Sequence, residues 1–133
     1  MKEFLLYLHQ LPQNFIGFLL TRKGCYKLYV RGIPVYYKTG FFHSGISLGK
    51  YIIIDSCNQG SVTSVMHEHG HQKQSLYLGW LYLVIVGLPS LLGNIWDRIA
   101  HSRWEYSRRC RWYYSRFPEN WADSLGGVKR SYK

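Results

Sequence analysis

Residues 61–75 read Ser-Val-Thr-Ser-Val-Met-His-Glu-His-Gly-His-Gln-Lys-Gln-Ser, and the reading of this stretch decides the rest. Ser61 or Thr63 can cap a helix that starts near Val62, because a hydroxyl accepts one of the orphan N–H groups of a first turn. On that helix His67 and His71 lie four apart on one face, so both imidazoles can be directed at a single ion. Glu68 follows the first histidine and lies beside that ion, where a carboxylate can take a proton from a water. His69 is two positions from each histidine and points away. Chance produces His-Glu-x-x-His on this composition in about one chain in a hundred. The competing reading is a His-rich polar helix turn.

A catalytic zinc site takes a third protein ligand, usually from a separate segment. Downstream of His71 the acidic residues are Asp97, Glu105, Glu119 and Asp123. Glu119-Asn120-Trp121-Ala122-Asp123 sets two carboxylates at i and i+4 on one face of a short helix expected over 118–125. Pro118 suits its first turn and Gly126-Gly127 its end. Glu119 is the candidate ligand, and Asp123 the candidate acceptor for the N–H of a ligand histidine. The alternative is a negative first turn answering the helix dipole.

Between the two segments, residues 76–96 carry no charge and are long enough to suggest a membrane span. A single crossing would leave His71 and Glu119 on opposite sides of the bilayer, and two crossings need about 40 apolar residues. A hairpin is therefore expected: a helix from Val62 towards Val86, a break at Gly87-Leu88-Pro89-Ser90, and a second helix over about 90–114. Its apolar tip can pack in the core, dip into a membrane or bind a partner, and a core helix pair is the plainest of the three. For the membrane surface, Arg98, Arg103, Arg108, Arg109, Arg111 and Arg116 suit anionic headgroups. Tyr77, Trp80, Tyr82 and Trp96 are aromatics of the kind enriched at interfaces.

Upstream, residues 25–55 read as β structure, with strands at 26–30, 33–37 and 51–54 and a polar loop over 56–61. Residues 4–20 carry no formal charge. Within 1–24 they read as an apolar helix broken near Pro12, lying on the core or on a membrane surface. His9, Gln10, Gln13 and Asn14 interrupt the run, which favours retained structure over a cleaved signal peptide.

The chain's 133 residues fit a single domain, 1–133. At 47% hydrophobic and 17% aromatic it is not disordered, and a mean hydropathy of −0.21 argues against a polytopic membrane protein. Cys25, Cys57 and Cys110 are odd in number and far apart, which suits neither a disulfide framework nor a structural zinc site. A reducing compartment, on the cytoplasmic side, is the simplest reading. A net charge of +10 also raises nucleic acid as a partner. Arginines interleave with Trp104, Trp112, Tyr113 and Tyr114 in a way that suits phosphates and stacked bases. No RNP, zinc-finger or helix-turn-helix signature accompanies them, and nucleic acid is disfavoured.

His-Glu-x-x-His followed, after an apolar insertion, by Glu-x-x-Ala-Asp resembles the gluzincin metallopeptidases. The pattern is nearest to the HtpX and CAAX-prenyl-endopeptidase family and its small soluble relatives, the minigluzincins. The matching residues are His67, Glu68, His71, Glu119, Ala122 and Asp123, and the likeness covers about residues 50–130. The resemblance implies one zinc ion on His67, His71 and Glu119, with Glu68 as general base and Asp123 orienting a ligand. It also implies an α+β, zincin-like fold: a small N-terminal sheet, an active-site helix, an apolar helical hairpin, and a short C-terminal helix with the third ligand. The expected function is a zinc metallopeptidase acting on a peptide or protein substrate, with Tyr113, Tyr114 or His101 as candidate oxyanion or substrate contacts. The alternative is a non-catalytic, membrane-associated or interaction protein with a structural or vestigial metal site.

Overall fold

A computed structural model describes residues 1–41 and 44–131. The polypeptide folds as α1 (Lys2–His9), α2 (Leu11–Thr21), β1 (Cys25–Val30), β2 (Ile33–Lys38), β3 (Gly45–Leu48), β4 (Tyr51–Asp55), α3 (Val62–Leu78), α4 (Leu88–Ala100), α5 (Tyr106–Tyr114) and α6 (Glu119–Gly126). The class is α+β. Its mixed sheet has the order β1-β2-β4-β3, antiparallel except where β2 lies parallel to β4 with Tyr36 opposite Ile53.

The central strand β4 is buried along its whole length, which its sequence Tyr-Ile-Ile-Ile-Asp permits. Alternation sends Ile52 and Ile54 to one face, where they join Val35 and Tyr37 of β2 and Val65 of α3 in the main core cluster. Tyr51 points the other way and packs against Gly17 of α2, where a Cβ would stand 2.7 Å from its ring. Strand β3 was not expected. It is four residues long, flanked by glycines and too short to show a period of two, and it pairs with β4 alone among the described residues.

The N-terminal helix breaks where Pro12 indicated. Gln10 leaves helical geometry between α1 and α2, and Pro12 sits in the first turn of α2, where its missing N–H costs nothing. The expected hairpin needs correction. Helix α3 begins at Val62 under a Ser61 cap, whose Oγ accepts from the Ser64 N–H at 3.2 Å, but it stops at Leu78 rather than near Val86. Gly79 adopts φ 55°, a left-handed value that glycine takes without steric cost, and turns the chain there. A 3-10 turn (Gly79–Leu81) and a π-helical turn (Leu83–Gly87) then run on into α4. The 87–90 sequence does not break the chain, because Pro89 falls in the first turn of α4 and Gly87 is helical. The helix expected over 90–114 is likewise two helices, separated at 101–105 and set by His101, which bonds back to Asp97.

Nor is this segment mostly core: Tyr82 and Val86 alone among its large apolar side chains are buried. Leu81, Val84, Ile85, Leu88, Leu91, Leu92, Ile95, Trp96 and Ile99 are all exposed. Leu83–Ala100 is long and apolar enough to cross a membrane by length and composition.

Candidate metal centre

Two helices build the centre. Helix α3 carries His67, Glu68 and His71 on its buried face, and α6 carries Glu119 and Asp123 on its own. They approach closely because both are notched. A Cβ on Gly70 would collide with the Ala122 carbonyl, and one on Gly126 with the Met66 carbonyl. Glycine therefore permits backbone-to-backbone contact at two points along the crossing. That contact carries Glu119 across to the histidines.

His67 Nε2 lies 2.9 Å and His71 Nε2 3.2 Å from the same Glu119 oxygen, Oε2. The ligand atoms of the three residues lie within 4.8 Å of one another, and all three residues are buried. Both imidazoles are held from behind. His67 Nδ1–H donates to Asp123 Oδ1 at 2.6 Å, and His71 Nδ1–H donates to Gln74 Oε1 at 2.6 Å. The Gln74 amide cannot be turned round, because its NH2 donates to the Pro118 carbonyl at 3.0 Å. Asp123 is fixed in turn by Arg130, through Nε at 2.6 Å and Nη2 at 2.9 Å. With each Nδ1 carrying its proton, both Nε2 lone pairs face a carboxylate oxygen. Three acceptors at one point require a cation between them, either protons or a metal ion.

Titration follows from that geometry. Burial alone would lower the His67 pKa, but hydrogen bonds to Asp123 and Glu119 outweigh it and raise the value to about 9. Burial pushes Glu119 up, and the bonds to His67 and His71 more than reverse it, holding the carboxyl well below its usual range. Glu68 moves the other way. Burial raises its pKa against the opposing pull of His71 and His67, and its Oε2 has no hydrogen-bond partner among the described residues. Glu68 Oε1 lies where a Cβ on Gly45 would stand 2.8 Å away, so β3 runs directly past this carboxyl group.

Of the other residues singled out by sequence, Tyr113 donates from its hydroxyl to Glu119 Oε1 at 3.1 Å. The Tyr114 ring meets His67 edge-on at 5.1 Å between centroids. Burial pushes both phenols well above their ordinary range, so both stay protonated. His101 is elsewhere: it bonds Asp97 at 3.1 Å and stacks on Trp104 at 3.7 Å. His69 turns aside, as its position on the helix requires, and meets Gln72.

Three contributors escaped the sequence reading. Gln74 was legible in principle, being three residues past His71 on the same face. Ser90, whose Oγ donates to Glu119 Oε1 at 2.5 Å, and Arg130 carry no local signal, since each arrives through the tertiary fold. The residues fit a divalent ion of intermediate softness, with two imidazoles, one carboxylate and an acceptor behind each ring. No family model, curated protein or solved structure matches the chain.

Proposed function

We propose that the protein is a zinc-dependent peptide hydrolase, with His67, His71 and Glu119 holding the ion and Glu68 acting as general base. The observation that carries this reading is Glu68, a buried carboxyl group with one oxygen unpartnered among the described residues, next to the point where three ligand atoms converge. A structural site has no use for such a group, and burying it unpaired costs stability.

Zinc bound there supplies Lewis acidity to a carbonyl and to a water. Glu68 would take a proton from the attacking water and pass it to the leaving amine, a task that suits a carboxyl group with a raised pKa. Asp123 and Gln74 keep both imidazoles in the tautomer that presents Nε2. Tyr113 steadies Glu119, which leaves Tyr114 as the candidate donor to a developing oxyanion. The outer edge of β3 can take an extended peptide as an added strand, and Gly45 sets that edge beside Glu68.

The test is Glu68→Gln on zinc-loaded protein, assayed against a library of quenched-fluorescence peptides. Hydrolysis by the wild type and its loss by at least about a hundredfold in a variant that keeps its zinc supports the reading. Equal activity in both removes Glu68 from the mechanism. A second reading, a purely structural metal, is favoured by enclosure: His67 is 5% and Glu119 2% exposed. It predicts no hydrolysis by either form and unfolding on metal removal.

A further inference from the structure

Both apolar helical segments are built inside out. No large apolar side chain of α1 or α2 is buried: the buried residues are Gln13, Asn14 and Gly17 of α2, with Gln10 between the two helices. The Gln13 amide donates to Ser75 Oγ and to the Gly79 carbonyl, Ser75 donates to Gln10, and Asn14 Oδ1 accepts from the Lys50 N–H. The exposed residues of the same helices are Phe4, Leu5, Leu8, Leu11, Phe15 and Leu19 among others. Segment 79–100 repeats the inversion. Tyr82 and Val86 anchor it in the core, but Ser90 and Asp97 also face inwards, to Glu119 and to Arg109, while most of its leucines, its isoleucines and Trp96 face out. The two segments join, since Trp80 donates to the Leu8 carbonyl at 2.9 Å and His9 to the Leu76 carbonyl at 3.0 Å. A water-exposed helix places its residues the other way round, and an apolar face of this extent marks an interface.

We propose that α1, α2 and segment 79–100 form one docking face that lies in the plane of an anionic lipid bilayer. Charge chooses this occupant over a second copy, because two chains of +10 repel each other while anionic headgroups attract both. Lys2 (with Glu3 beside it), Arg22 and Lys23 flank the first apolar segment; Arg98 lies in the last turn of the second and Arg103 follows it. Trp80 and Trp96, both more than half exposed, sit on the face as amphipathic anchors. Depth follows from Ser90. It lies mid-way along Leu83–Ala100 and is bonded to Glu119, so a spanning helix would carry His67, Glu119, Asp123 and Arg130 to the centre of the hydrocarbon. Charges are costly there, and an in-plane helix keeps them above it. This inference stands apart from hydrolysis, and either can fail alone.

The experiment is flotation of the full chain with vesicles of phosphatidylcholine alone or with about one third phosphatidylserine. It is followed by quenching of tryptophan fluorescence with shallow and deep doxyl lipids. Expected are binding to the anionic vesicles at least about tenfold tighter than to the neutral ones, weakening with salt, and stronger quenching by the shallow label. Leu91→Gln with Ile99→Gln alters outward positions only and keeps the charge, so it should cut binding about tenfold with the circular dichroism unchanged. Equal binding to neutral vesicles without salt dependence would overturn the anionic assignment, and stronger deep quenching the in-plane one. A chain that ignores vesicles overturns the proposal. If it also forms dimers that Leu91→Gln with Ile99→Gln dissociates, the occupant is a second copy.

Discussion

His67 shows at the scale of one residue why the cluster needs a cation. Its Nδ1–H is committed to Asp123, so without metal a second proton on Nε2 must answer Glu119, which raises the pKa to about 9. In the unfolded chain the same group titrates near 6.5. The stability it contributes is therefore complete below about pH 6.5 and is lost as pH rises through about 9. Glu119 and Asp123 are lowered, so their contribution is present above the ordinary carboxylate range and is lost as pH falls. Metal-free protein should accordingly melt at a lower temperature at about pH 9.5 than at pH 6.5, and added zinc should remove that alkaline loss. An apo form that gains stability at the higher pH would contradict the assignment. Asp123→Asn tests the support behind the ring, since an amide can turn its NH2 towards Nδ1 and no longer fixes the tautomer. Competition with a chelating dye should show zinc affinity reduced about 10–100-fold.

Helices α3 and α6 set the centre at the scale of elements, and their glycines determine how close they come. Gly70→Ala drives a Cβ into the Ala122 carbonyl, which belongs to backbone and cannot swing aside. The cost should be about 1–3 kcal/mol by denaturant titration, with zinc content falling because α6 and Glu119 are pushed off together. Unchanged stability and full zinc would mean that the helices sit further apart. At this scale the sequence was legible wherever the signal was local. The periodicity placing His67, Glu68 and His71 together needs only one helix, and the Glu119–Asp123 pair needs only another. It misled at Gly87-Leu88-Pro89-Ser90, because proline and glycine tolerate a helix start as readily as they end one, and the true turn at Gly79 carries a single glycine. Composition could not give the direction of the apolar faces either. Segment 76–96 reads as core until Ser90, and Asp97 just beyond it, are seen bonded inwards, which leaves most of its leucines outside.

For the whole molecule, metal binding and folding are linked, because the ligands come from segments 48 residues apart in the chain. An ion that binds only the folded state at a concentration a hundred times its dissociation constant adds about 2.7 kcal/mol. For a chain of this size, that should raise the melting temperature by about 10 °C, lost again on chelation. Whether these two segments share one ion is tested by zinc per chain in elemental analysis, on wild type and on Glu119→Ala. Close to one zinc is expected in the wild type and clearly less in the variant. A folded wild type that takes up no zinc when supplied, or a variant that keeps its full complement, would contradict a shared ion.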